Sequence, residues 1–192
     1  MKKQSYSETV TAGITAPGSL TNMVQAAMIA AIYVVLTFIA NSFGLANYAV
    51  QVRFSEALTI LPYFTPAAIP GLCVGCLLSN ILTGCALPDI IFGSIATLLG
   101  ALGTYALRKW KWCAPVCPII SNMIIVPLVL IYGYGFLIEG LSIRQCFGYY
   151  CLTVGAGEVI SCGILGMILL FALQKYSAKI FGIQYTSITH PD

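Results

Sequence analysis

The sequence predicts an all-α integral membrane protein, a bundle of six transmembrane helices with both termini in the cytoplasm. Three observations point there. Of the 192 residues, 59% are hydrophobic and only 8% are charged, whereas a soluble domain needs about a quarter charged residues to face water. The apolar residues fall into runs separated by polar, Pro- and Gly-marked breaks. The length accommodates roughly six spans at about 20 residues each.

The runs are taken in order. Residues 1–22 are polar and rich in Ser, Thr and Gly, without the apolar core and cleavage site of a secretory signal, and read as a loose cytoplasmic tail. The first span covers 23–41, and a polar, aromatic connection follows at 42–53. The second run, 54–64, carries Ser55 and Glu56 at its start and is too short to cross a bilayer unless it tilts or is shielded by neighbours. Pro66 and Pro70 interrupt the chain around it. The third run is 67–82; the fourth is 90–107, opened by Pro88 and Asp89; the fifth is 115–138 and the sixth 146–173. The membrane domain is therefore 23–175, and 176–192 is a second cytoplasmic tail. With the N-terminus inside, the inner loops and tails hold Lys2, Lys3, Arg108, Lys109, Lys111, Lys175 and Lys179, and the outer loops hold Arg53 and Arg144. The opposite orientation reverses this bias and breaks the positive-inside rule. Tyr105, Trp110, Trp112 and Tyr176 gather at the same inner boundary, as interfacial aromatics do.

Charge and motif content exclude several classes. A net charge of +3 spread over loops is no nucleic-acid footprint. There is no phosphate-binding loop for ATP hydrolysis, and no Ser–His or Cys–His pairing in the spans. The single histidine, His190, lies in the C-terminal tail, which argues against a histidine metal site. The eight cysteines lie mostly in apolar runs and read as small hydrophobes. Cys73 and Cys76 have redox spacing. That pair supports a competing reading, a membrane thiol oxidoreductase, which would need one activated and accessible thiol. No catalytic residue, cofactor or metal is expected.

Ionisable groups at membrane depth cost about 2.5 to 3.5 kcal/mol at mid-helix and persist where they face a bundle interior or a ligand. Arg53, Glu56, Asp89 and Glu158 fit that description. Arg53 and Glu56 are spaced for an ion pair on one turn or for a pocket rim. Asp89 is either an N-cap after Pro88 or a pocket acid. Glu158 lies deep in the sixth span with no basic residue near it in sequence, so it needs a partner from another helix or a ligand. Asn80 and Asn122 serve either interhelical hydrogen bonds or a guest. Carboxylates and amides converging from several spans suit a small, donor-rich molecule such as one with a guanine-like edge, or an ammonium. On the first span, Ala26, Ala27, Ala30 and Ala31 form two overlapping small-residue stripes, for internal packing or for docking another protein.

The run AVQVRFSEALTILPYFTP at 49–66, AIPGL at 68–72, PDIIFGSIATLL at 88–99 and TVGAGE at 153–158 resemble the queuosine precursor transporter family, QueT. The resemblance covers about 23–175; the departures are the cysteine-rich spans and the longer polar N-terminus. It implies the substrate-binding S component of an energy-coupling factor (ECF) transporter, an importer in the plasma membrane of prokaryotes. Such a component is a six-helix bundle that binds its solute near the outer surface. The implied solute is a 7-deazaguanine such as preQ1, preQ0 or queuine. The implied partners are a transmembrane coupling protein and two cytoplasmic ATPases, docked on the small-residue face of the first span that Ala26, Ala27, Ala30 and Ala31 match. An S component for another vitamin-like solute or a metal ion is the nearer alternative.

Overall fold

Apolar helices in lipid can satisfy their backbone groups only within themselves, and in the computed structural model, which describes residues 19–44 and 52–181, every regular element is helical. Helix α1 is Ser19–Ser42, α2 is Ala68–Leu82 and α3 is Leu87–Ala106. Helix α4, Val116–Leu128, runs on into a π turn at Val129–Gly133. Helix α5, Ile143–Glu158, runs through a π segment at Val159–Leu165 into α6, Gly166–Gln174, and α7 is the short Ser177–Phe181. Among the described residues, four stretches are long and apolar enough to cross a membrane: Ser19–Ser42, Leu87–Ala106, Lys111–Gly133 and Ile143–Gln174. Their outward faces carry exposed Met28, Val35, Phe38, Ile91, Leu99, Ile120, Ile124 and Ile168, a surface made for lipid rather than water.

Several boundaries differ from the sequence reading. Helix α1 begins at Ser19, inside the expected tail, and α7 occupies the start of the expected C-terminal tail. The rest of both tails, with Lys2, Lys3 and His190, and residues 45–51 of the first connection, lie outside the described residues. The last long helix starts at Ile143 rather than 146 because Ser142 and Gln145 form a capping box, with the Ser142 backbone N–H donating to Gln145 Oε1 at 2.8 Å. The fifth run ends at Gly133, short of 138, because Gly135 takes a φ of 69° and the Phe136 N–H closes back onto the Leu130 carbonyl at 3.0 Å.

The second run is the larger departure. Phe54–Tyr63 winds as a 3₁₀ helix, although such runs seldom exceed about four residues. Pro62 cannot donate, and Thr59 turns its hydroxyl back onto the Glu56 carbonyl at 2.6 Å. The segment survives because protein encloses it. Ser55 to Pro62 are all buried, packed by α1, α2, α3, α6 and the π segment after Glu158. It is central to the bundle and supplies Leu58, Ile60 and Leu61 to the core, where they join Tyr33, Leu72 and Leu170.

Close helix approach is built from glycines. A Cβ on Gly71 would stand 2.7 Å from the Ala26 carbonyl oxygen, and one on Gly75 would stand 2.8 Å from Tyr33 Cβ and 3.1 Å from Ala30 Cα. Helices α1 and α2 therefore touch backbone to backbone. Ala26 and Ala30 are spent on that internal contact, while Ala27 and Ala31 remain exposed.

Candidate functional site

Three elements bring three polar side chains to one buried point. The 3₁₀ segment supplies Glu56, α4 supplies Asn122, and the end of α5 supplies Glu158; they are 2%, 5% and 7% exposed. Asn122 Nδ2 donates to Glu158 Oε1 at 3.0 Å and reaches Glu56 Oε2 at 3.5 Å. One amide thus bridges two carboxylates. The Tyr33 hydroxyl donates to the other Glu56 oxygen, Oε1. The Cys162 thiol donates to the other Glu158 oxygen, Oε2, at 3.0 Å.

The pocket at this point is lined by Arg53, Glu56, Asn122 and Glu158, with Gly93, Thr97, Val126 and Val154 completing the wall. Its cavity volume is ≈ 20 Å³, room for about one water. A larger guest enters only as side chains part.

Arg53 contributes through position and charge. Its backbone N–H donates to Ser161 Oγ at 3.2 Å, which fixes the start of the 3₁₀ segment against the π segment. Its guanidinium pairs with Asp89 at 3.9 Å. The i, i+3 spacing suggested Glu56 as the partner; the carboxylate from α3 takes that role. Asp89 is not the N-cap of α3: the helix is capped at Ala86, and Asp89 sits within its first turn. Tyr134 OH reaches the Asp89 carboxylate at 3.5 Å and accepts the Ala86 N–H at 3.0 Å. Asn80 also stands one layer behind the pocket, donating to the Asp89 carbonyl at 3.3 Å and so tying α2 to α3.

Of the expected binding residues, Arg53, Glu56, Asn122 and Glu158 meet at the pocket, and Asn80 and Asp89 support it from behind. Tyr33, Thr59 and Cys162 were not singled out in the sequence. Two signals were available: Tyr33 and Thr37 put hydroxyls one turn apart in an apolar span, and Cys162 follows Glu158 by four residues on one helix face. Electrostatically, two buried carboxylates so close together repel unless a proton, a cation or strong donors lie between them. Glu56, Glu158 and Cys162 also place one potential ligand atom each within 4.8 Å of one another, the grouping able to hold a cation among the described residues.

A family model described as the QueT transporter matches residues 23–175. The chain belongs to the QueT transporter family. Among curated proteins it is similar to the queuosine precursor transporter QueT of Lactococcus lactis subsp. cremoris (strain MG1363), with 32% identity over 91 residues, 47% of this chain and 53% of the relative. The match thus spans about half the length of that relative. No solved structure matches. QueT proteins are transporters and not enzymes, so the thiol oxidoreductase reading of Cys73 and Cys76 falls. The chain is a multi-pass membrane protein of a transport family, and the buried Glu56–Asn122–Glu158 bridge is where this QueT member gathers its polar groups.

Proposed function

We propose that this chain is the S component of an ECF importer that takes up a 7-deazaguanine queuosine precursor. The observation that carries this reading is the bridge of Glu56, Asn122 and Glu158 inside a lipid-embedded bundle. Its inner carboxylate oxygens converge on a single amino group, which here is the amide of Asn122. The amino and ring N–H groups of a deazaguanine edge make the same demand on a carboxylate. The described relative is named for a queuosine precursor, which supports the same class.

In this reading the protein lies in the plasma membrane of a prokaryote, with six membrane segments and both ends in the cytoplasm. The 3₁₀ segment and α2 are the two short crossings. A ten-residue 3₁₀ helix rises about 20 Å against about 30 Å of hydrocarbon, which explains why it needs protein on every side. Energy comes from two ATPases and a transmembrane coupling protein, and the exposed Ala27 and Ala31 are the docking stripe. Arg53, Asn80 and Asp89 hold the rim, and Glu56, Asn122 and Glu158 hold the base.

The test is direct binding of preQ1, preQ0, queuine and guanine to the purified full chain in nanodiscs. Saturable binding of a deazaguanine supports the reading; binding of none sinks it. A second reading, a metal ion as the solute, is favoured by the Glu56, Glu158 and Cys162 grouping. Binding of a divalent ion alone, abolished with Glu158→Gln, would favour it.

A further inference from the structure

Each of the paired carboxylates has two oxygens with different jobs. The inner ones, Glu56 Oε2 and Glu158 Oε1, face Asn122 at the pocket. The outer ones are each held by one donor that does not line the pocket. Tyr33, 1% exposed on α1, holds Glu56 Oε1. Cys162, 0% exposed on the π segment, holds Glu158 Oε2 at 3.0 Å.

Both donors are fixed from behind. Tyr33 Cβ rests on Gly75, where no side chain fits. The Cys162 sulfur lies 3.3 Å from Thr59 Oγ1 and 3.4 Å from the Glu56 carbonyl oxygen. Thr59 in turn donates to that same carbonyl at 2.6 Å. The thiol has one proton; donated to Glu158 Oε2, it leaves the sulfur packed against the Glu56 carbonyl, so Cys162 hydrogen-bonds the side chain of the second carboxylate and only abuts the backbone of the first. A free carboxylate turns about its last bond with little resistance; here each is pinned by its far oxygen.

We propose that Tyr33 and Cys162 are the positioning residues of the site, which aim the inner oxygens of Glu56 and Glu158 at one amino-bearing edge of the ligand and so set selectivity for that edge. The inference rests on the functional reading above. Neither residue touches the ligand. Their effect is on discrimination, because a carboxylate free to rotate still attracts a donor but no longer rewards one particular donor pattern.

The experiment compares two ligands on the purified full chain: 7-aminomethyl-7-deazaguanine and its analogue lacking the 2-amino group. Wild type prefers the first. In Tyr33→Phe and in Cys162→Ala the ratio of the two affinities falls by about tenfold, the scale of one lost charge-assisted hydrogen bond. Cys162→Ser, which keeps a donor at the same place, restores most of it. If the donors only fill space, both affinities move together, the ratio holds, and Ser behaves like Ala; that result overturns the proposal. Should Tyr33→Phe not fold, the Cys162 pair of variants decides alone. A wild type that binds neither ligand defeats the functional reading instead, which keeps the two failures apart.

Discussion

Glu158→Gln tests the carboxylate pair with the least disturbance, because the amide matches the acid in length and volume and opens no cavity. Its cost can be worked from the contacts. Glu158 accepts twice, from Asn122 at 3.0 Å and from Cys162 at 3.0 Å. Glutamine offers one acceptor oxygen and one donor NH₂. With its oxygen toward Asn122, its NH₂ faces the Cys162 sulfur, a weak acceptor. The fold then loses about one ordinary hydrogen bond, roughly 0.5 to 1.5 kcal/mol, partly offset by relief of the repulsion with Glu56. A bound deazaguanine loses more. Its donors give up an ionised acceptor worth about 1.5 to 3 kcal/mol, or roughly 10- to 150-fold in Kd. Isothermal titration of preQ1 into the purified chain reads the affinity, and thermal unfolding in the same lipid reads the fold. An unchanged Kd with wild-type thermal stability removes Glu158 from the binding site.

Three further outcomes are expected. Gly75→Ala forces a methyl into a space 2.8 Å from Tyr33 Cβ; it should cost about 1 to 3 kcal/mol by overpacking, lower the melting temperature and, through the displaced Tyr33, weaken ligand binding as well. Replacing Ala27 and Ala31 together by Trp should block co-purification of the coupling protein while leaving preQ1 binding by the isolated chain intact, whereas Ala30→Trp should abolish folding, visible as loss of a monodisperse peak. Cys73→Ser combined with Cys76→Ser should leave uptake of labelled precursor in place, and loss of uptake at normal protein levels would return those thiols to the mechanism.

The sequence made the membrane character and most segment boundaries readable, because lipid demands long apolar runs and the demand is local. It also exposed Glu56 and Glu158, since a carboxylate in such a run is conspicuous whatever the tertiary structure. What stayed hidden depended on pairs of elements. Spacing alone puts Glu56 one turn from Arg53, yet Asp89 from another helix takes the guanidinium. Two alanine stripes look equivalent along α1; only Gly71 and Gly75, four apart on α2, choose which of them is buried. The 3₁₀ winding of Phe54–Tyr63 follows from Pro62 and from enclosure on every side, and a short apolar run with one proline does not announce enclosure. Tyr33 and Cys162 carry residue types that pack unremarked in most apolar cores, so their hydrogen bonds became visible only with both carboxylates in place.

The glycine notches have a mechanical consequence. With no side chain between them, α1 and α2 lie in direct backbone contact, so a body seated on the exposed Ala27 and Ala31 presses on a helix whose other face already rests on the second. That couple carries Tyr33 on one member and Asn80 on the other, one gripping a buried acid and one gripping the backbone of Asp89. Any displacement of α1 or α2 is therefore one hydrogen bond away from the carboxylates at the centre of the bundle.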